Sequence, residues 1–342
     1  MKTEVFDYHL PDELIAQEPS GVRDMSRLMV VGRAGGTVSH YVFKDLPGLL
    51  DPGDCLVVNT SRVFPGRLKG RKEGSGGRVE IILLERMGPG LWRALAGGAA
   101  LRPGVRLQFD GSLTGEVVEG PLIGEALIRF DPTAEGCDID GLVFKTGEVP
   151  LPPYIKKGLG DPERYQTVYG EREISAAAPT AGLHFTDGLL DEIRSRGIIV
   201  ERLELAVGLD TFLPVREARI EDHRIHSEWF SIGAECARGV NEARDRGSRV
   251  VSVGTTAVRA LESAADARGR LAPRSGYTDL FVAPGFEFKA VDALVTNFHF
   301  PRSTLLMLAC AFGGTGLILE AYRQAVRERY RFYSFGDAML VI

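Results

Sequence analysis

The sequence predicts an α/β protein interrupted by a small β-rich insert. Three observations carry that expectation. Apolar runs such as Cys55 to Val58, Val250 to Val253 and Leu294 to Thr296 each end in a polar loop, and the last two are followed by helical periodicity. From about residue 63 to 145 helical periodicity fades, and short β-rich runs separated by glycine replace it. Helical patterning then resumes to the end. We therefore place a large α/β domain at 1–61 and 149–342 and an inserted β-domain at 62–148. The chain of 342 residues is long enough for about two domains.

Composition sets the outer limits. With 44% hydrophobic and 25% charged residues the chain reads as an ordinary soluble globular protein. No apolar run reaches the roughly 18 residues a membrane helix needs, and Met1 to Tyr8 lacks the basic-then-apolar order of a signal peptide. Cys55, Cys137, Cys236 and Cys310 are far apart and form no Cys-x-x-Cys pair, which fits a reducing cytoplasm and argues against a structural zinc site. The net charge of −5 gives no global sign of nucleic-acid binding but leaves room for a local basic face.

The elements follow in order. Asp12 to Ala16 can start a helix, Leu28 to Val31 reads as a strand, and Phe43 to Leu50 is helical up to the turn Asp51-Pro52-Gly53-Asp54. Cys55 to Val58 is a buried strand ending at Asn59-Thr60-Ser61-Arg62, and polar residues directly after such a strand are where open α/β sheets place ligands. In the insert the runs Arg78 to Leu84, Leu91 to Leu95, Val105 to Phe109, Gly115 to Val118 and Glu125 to Phe130 predict a small barrel or sandwich. Its edge carries Arg67, Lys69, Arg71 and Lys72, read equally well as a solvated strand face or an RNA-facing one. A rigid extended piece, Leu151-Pro152-Pro153-Tyr154-Ile155, follows, with Lys156 and Lys157 after it.

The stretch Ile174 to Thr186 is the most distinctive. Small residues lead through Pro179 and Thr180 to Gly182, which permits φ > 0, then to His184 and to Thr186 as the N-cap of a helix ending near Gly197. Ile198 to Leu205 is a strand, and residues 207–212 form a second glycine-bearing loop. In His223-Arg224-Ile225-His226-Ser227-Glu228 the two histidines and a carboxylate invite a metal reading, but no further ligand cluster accompanies them, so hydrogen-bonding and acid–base roles are preferred. Ala234 to Arg246 is amphipathic. After Val253, Gly254-Thr255-Thr256 precedes a helix expected from Ala257 to about Arg268, a helix start suited to a carboxylate or phosphate. Arg259, Glu262 and Ser263 share one face of it, in the plainest reading a surface ion pair. The unit recurs at Thr296-Asn297-Phe298-His299, where Ser303 caps a very apolar helix, Thr304 to Phe312. A last helix, Leu317 to Tyr330, carries Arg327, with Arg329 and Arg331 at its end, and the chain closes in a strand with a polar start at Asp337.

These residues together resemble a known family. Ala178-Pro179-Thr180-Ala181-Gly182-Leu183-His184-Phe185-Thr186, His226-Ser227-Glu228, Val253 to Arg259, Thr296 to His299 with Pro301 and Ser303 to Leu308, and Tyr333 to Leu340 are similar to the S-adenosylmethionine:tRNA ribosyltransferase-isomerases of queuosine biosynthesis. The likeness runs from Phe6-Asp7-Tyr8 to the C-terminus. The family often has histidine and glycine where this chain has Ala206 and Asp210, and Asn-Asp-Thr-Arg where it has Asn59-Thr60-Ser61-Arg62.

The resemblance implies a large, barrel-like α/β domain with a small inserted β-barrel. It implies a monomeric transferase, without metal and away from membranes. S-adenosylmethionine would be the co-substrate, giving up its ribosyl group to 7-aminomethyl-7-deazaguanine at the wobble position of a tRNA and forming epoxyqueuosine with loss of adenine and methionine. Such chemistry needs a base at C5′ and an acid for adenine. Catalytic candidates are His184, His299, Glu228 and Asp337. Donor-binding candidates are Thr180, Gly182, Thr186, Gly254, Thr255, Thr256, Arg259 and Asn297. Candidates for tRNA or base contact are Asn59, Arg62, His226, Lys156 and Lys157. Two other classes compete. A methyltransferase using the same donor would be expected to show an early glycine-rich loop after its first strand, which this chain lacks. A non-catalytic RNA-binding protein built around the insert would not concentrate its polar loops outside it.

Overall fold

A computed structural model describes residues 1–97, 101–110, 113–122, 124–131, 136–208 and 214–342. The chain divides into two compact units: Met1–Arg62 with Pro152–Arg172 and Ala178–Ile342, and Val63–Leu151 with Glu173–Ala177.

The larger unit is built on one nine-stranded mixed sheet. In spatial order its strands are Arg274–Thr278, Glu228–Ile232, Ile199–Leu205, Cys55–Asn59, Val250–Val253, Ala293–Asn297, Ala338–Val341, Arg27–Gly32 and Thr37–Val42. The middle four run parallel: Leu56 lies beside both Val200 and Val251, and Val253 beside Val295. Every residue of Cys55–Asn59, Val250–Val253 and Ala293–Asn297 is buried, as parallel strands covered on both faces require. Alternate residues Leu56 and Val58, Val251 and Val253, and Ala293 and Val295 enter one core with Phe43, Phe185, Leu189, Leu190 and Ile193. The last three come from the helix Asp187–Ser195. Thr186 caps it as expected, its Oγ1 accepting the N–H of Leu189 at 3.1 Å, and Gly197 follows with φ +79°. Burying Ile193 completely contributes about 2–3 kcal/mol before entropy is counted.

The smaller unit holds a closed six-stranded barrel, in the order Glu125–Asp131, Leu91–Gly97, Arg78–Gly88, Arg67–Lys72, Arg106–Phe109 and Thr114–Leu122. Its inward residues alternate along each strand, with Val79, Ile81 and Leu83 buried and their neighbours not. The basic edge foreseen at Arg67–Lys72 is a full barrel strand. Arg67 pairs with Glu80 and Lys69 with Glu148, so these two charges are answered locally.

Several expected elements move. The helix expected from Ala257 begins at Gly254 and ends at Ala264, because Gly254 turns the chain at φ +87° and the threonines enter the first turn directly. Residues 12–14 and 43–48 are 3₁₀ turns rather than α-helix. The final helix is Thr315–Arg327, so Arg329 and Arg331 lie beyond it. Among the described residues no single helix is long and apolar enough to cross a membrane.

Candidate functional site

The parallel strands end on Asn59, Leu205, Val253 and Asn297, and a cleft opens at two of these carboxyl ends. The 3₁₀ turn Thr180–His184 packs against the strand Ala293–Asn297 and the helix Gly254–Ala264 and closes the cleft from a third side. Thr180, Gly254, Thr255, Thr256, Asn297 and His299 line it together, so six of the sequence candidates converge. Val253, the N-cap residue, offers no side-chain cap to the helix. The first-turn N–H groups and the positive end of the helix dipole therefore remain for an anion.

His184 is buried and both its ring nitrogens are engaged. Nδ1 lies 2.6 Å from Ser26 Oγ, and Nε2 lies 3.1 Å from Asn297 Nδ2. Asn297 accepts from Thr180 Oγ1 through its Oδ1 at 3.0 Å, and its Nδ2 also points to the Tyr333 carbonyl at 3.3 Å. With the amide fixed that way round, Nε2 accepts from Nδ2, and Nδ1 carries the proton donated to Ser26. Burial, reinforced by Arg331 and Arg23, pushes His184 down to about 3. It is a neutral positioning group stacked on Phe43, with no ring nitrogen left for a substrate.

His299 differs. Its Nε2 lies 2.7 Å from Thr296 Oγ1, while Nδ1 has no hydrogen-bond partner among the described residues. Its main chain is clamped: the N–H donates to Tyr322 Oη at 3.1 Å, and the carbonyl accepts from Tyr8 Oη. Burial pushes this imidazole down to about 3 as well, so it is neutral at ordinary pH. Tyr333, Phe300 and Ser334 border an adjoining recess with His299. Tyr333 sits at φ +76°, rare for an aromatic residue and held by bonds through its N–H to the Phe298 carbonyl and its carbonyl to Asn297.

Other candidates serve the frame. Arg259 and Glu228 form a buried ion pair, with Arg259 also donating to the carbonyls of Leu280 at 3.0 Å and Thr278 at 3.2 Å. The guanidinium expected to hold a donor carboxylate is thus spent inside the protein. Glu228 Oε1 in turn accepts from Gly208 N at 2.8 Å, anchoring the start of the loop whose residues 209–213, Asp210 included, lie outside the described residues. Glu262 accepts from the N–H groups of Lys289, Ala290 and Val291, and Ser263 meets Thr278, so in place of the expected surface ion pair each residue of this face is tied to other segments. Asp337 accepts from Arg27 N and Arg331 N at 2.9 and 2.8 Å, and burial raises its carboxyl. Asn59 holds both backbone groups of Leu205 and reaches Thr256 Oγ1 at 3.4 Å. Thr186 is a cap and donates to Asp24. Gly182 has no positive φ; it is required because a Cβ there would run into Tyr169 Oη and sit 2.7 Å from Thr167 Cγ2.

Of the expected tRNA contacts, Arg62 pairs with Glu163, Lys157 pairs with Glu18, and Lys156 and His226 are exposed. His223 bonds Glu217 at 3.0 Å. Among the described residues no group of three His, Cys, Asp or Glu side chains gathers as a metal site. Sequence reading missed Ser26, the partner of His184 from 158 positions away, and the arginines Arg23 and Arg164, which no motif marks.

Comparison with known proteins supplies the rest. A family model described as "Queuosine biosynthesis protein" matches residues 3–341. A protein of Symbiobacterium thermophilum named S-adenosylmethionine:tRNA ribosyltransferase-isomerase is 52% identical over 344 residues, with 100% of both chains covered. One of the same name from Pelotomaculum thermopropionicum is 51% identical over 339 residues, covering 98% of each. A crystal structure of S-adenosylmethionine tRNA ribosyltransferase from Thermotoga maritima is similar at 40% identity and a TM-score of 0.58, covering 99% of this chain and 100% of that one.

Proposed function

The chain belongs to the family of S-adenosylmethionine:tRNA ribosyltransferase-isomerases of queuosine biosynthesis, and from that membership we propose that it transfers and isomerises the ribosyl moiety of S-adenosylmethionine onto 7-aminomethyl-7-deazaguanine at a tRNA wobble position. The product is epoxyqueuosine in the tRNA, with adenine and methionine released. The observation that carries the reading is end-to-end similarity to such enzymes at about half identity, in a chain six of whose candidate residues meet in one cleft.

The cleft suggests a division of labour. The uncapped first turn at Gly254, Thr255 and Thr256 suits the methionine carboxylate. His299, with Nδ1 open, is placed to take a C5′ proton acidified by the neighbouring sulfonium, the bonding pair staying on carbon, although its burial makes it a weak base for that step. The imidazolium so formed is a strong acid in its buried site and can pass the same proton to a ring nitrogen of the departing adenine. Asn297 and Thr180 hold one wall, and His184 fixes Asn297. Every residue lining the cleft belongs to the larger unit, which supports assigning the chemistry to that unit, with the barrel as a separate domain. The wobble base must leave its stack to reach the cleft, as single-stranded loops permit.

The test is product analysis. Purified protein, labelled S-adenosylmethionine and tRNA carrying the aminomethyl base should yield adenine and methionine in equal amounts. Accumulation of S-adenosylhomocysteine instead would overturn the reading in favour of methyl transfer.

A further inference from the structure

His184 also borders a second recess, lined by Ser20, Arg23, Arg164, Leu183 and Phe335 among others. Its two arginines are partly buried and are held by carbonyls rather than carboxylates. Arg23 donates from Nη1 to Leu183 O at 3.0 Å and from Nη2 to Glu163 O at 2.9 Å. Arg164 donates from Nη1 to Gly21 O at 3.1 Å and from Nη2 to Ser20 O. Arg164 Nε is buried and makes no hydrogen bond among the described residues. Neither arginine forms an ion pair among the described residues. The carboxylates nearby are committed elsewhere, Glu163 to Arg62 and Asp161 to the N–H of Glu163. Carbonyl dipoles orient two such cations; after burial the largest influence on Arg23 is repulsion from Arg164, which Asp161 and Glu163 offset in part.

The surroundings extend the same sign. Arg331 donates to Glu18 O, Lys157 pairs with Glu18 Oε1 at 2.9 Å, and the N–H of Lys156 donates to Gln17 Oε1 at 2.9 Å. The segment 17–21 and its contacts thus gather five cations, Arg23, Arg164, Arg331, Lys156 and Lys157, against the carboxylates Glu18, Asp161, Glu163 and Asp337. A lone carboxylate ligand would need one such group. A row of cations leading to a paired guanidinium recess fits a polyanion, with one phosphodiester taking the two forks through its non-bridging oxygens.

We infer that Arg23 and Arg164 form a subsite for a backbone phosphate of the RNA substrate, approached along the segment 17–21. This rests on the ribosyl-transfer reading for the identity of the RNA. The contact positions the strand and carries no sequence information of its own.

The test compares Arg164→Gln and Arg164→Lys with the wild type, measuring affinity for the tRNA against salt and for S-adenosylmethionine separately. Arg164→Gln should weaken tRNA binding about tenfold and lower the log–log salt slope by about one, with S-adenosylmethionine binding unchanged. Arg164→Lys should keep the slope and lose part of the affinity, since it retains charge without the fork. An unchanged slope in a folded Arg164→Gln protein overturns the inference. So does loss of S-adenosylmethionine binding with tRNA binding intact, which would make the recess a carboxylate site. Should Arg164→Gln not fold, phenylglyoxal labelling of the wild type decides: tRNA, and not S-adenosylmethionine, should protect Arg23 and Arg164, and equal labelling with and without tRNA overturns the inference. Failure of the wild type to release adenine and methionine would instead strike at the function reading, leaving these binding results to stand or fall separately.

Discussion

Asn297 Nδ2 and His184 Nε2 meet at 3.1 Å, and that contact decides which imidazole nitrogen bears the proton. The amide is locked by Thr180 on one side and the Tyr333 carbonyl on the other, so four segments distant in sequence share one hydrogen-bond chain ending on Ser26. Replacing Asn297 by alanine strands a buried ring nitrogen and a carbonyl together. We expect a loss of about 1–3 kcal/mol in unfolding free energy, on the scale of one unsatisfied buried group. Turnover should fall by about 10²-fold through misplacement of the cleft wall. Denaturant melts and single-turnover kinetics on the same preparation separate the two effects.

His299→Ala should lower turnover by about 10²-fold or more while tRNA binding persists, the loss typical of a positioned acid–base group. His184→Gln should cost less in turnover and more in stability, because His184 has no nitrogen to offer a substrate. Equal turnover losses from both would argue that His184 acts in the chemistry after all. Cys137→Ser, in the smaller unit, should leave turnover near that of the wild type.

Arg259→Ala takes away the guanidinium that pairs with the buried Glu228 carboxylate, which also accepts from the Gly208 N–H. The expected outcome is destabilisation by about 3–5 kcal/mol, the range for breaking a buried pair. Arg259→Ala with Glu228→Gln should recover part of that loss. Full stability in the single variant, read by chemical denaturation, would show that the pair is not structural.

The two imidazoles give stability a pH dependence of known sign. Each has a folded value near 3, below the ordinary value of 6.5. Below 6.5 the unfolded chain takes up protons the folded one refuses, so stability is full above 6.5 and falls as pH drops toward 3. The loss should reach a few kcal/mol at most, about 1.4 kcal/mol per unit per group before relaxation. The raised carboxyls of Asp337 and Glu262 work the other way, favouring the folded state in acid. A His184→Gln, His299→Gln double variant should flatten the slope of unfolding free energy between pH 4 and about 6.5. The wild-type turnover profile should show no break near 6.5 from His299.

Gly182→Ala drives a methyl into Tyr169 Oη and Thr167. It should destabilise by about 1–3 kcal/mol, as overpacking does, and Tyr169→Phe should restore part of the loss by removing the oxygen. A Gly182→Ala protein as stable as the wild type would mean the turn relaxes freely.

What the sequence made legible was local. Thr186 and Ser303 read as caps because a cap needs only its own first turn, and the barrel strands read as strands because alternation is a short-range pattern. The convergence of Thr180, Gly254, Asn297 and His299 was also foreseeable, since each follows a strand or a turn of matching type. The partners were not legible. Arg259 looks like a free cation in sequence until Glu228, 31 positions earlier, is brought beside it by the sheet order. Gly254 looked like a helix-preceding spacer, yet its left-handed φ lets the helix begin at once. Arg23 and Arg164 carry no motif at all, because carbonyl acceptors leave no trace in residue identity.

The sheet order has a consequence for the chain during synthesis. Cys55–Asn59 is central, yet its neighbours Ile199–Leu205 and Val250–Val253 are made about 140 and 200 residues later. At roughly 5–20 residues per second, an apolar strand waits on the order of ten seconds or longer without its partners. The residues translated meanwhile include the whole closed barrel, which has no edge to offer that strand. The insert thus occupies the ribosome during the delay as a self-contained fold. Nascent chains arrested before residue 199 should resist protease across the barrel and be cut near residues 55–59, and the reverse pattern would refute that order of events.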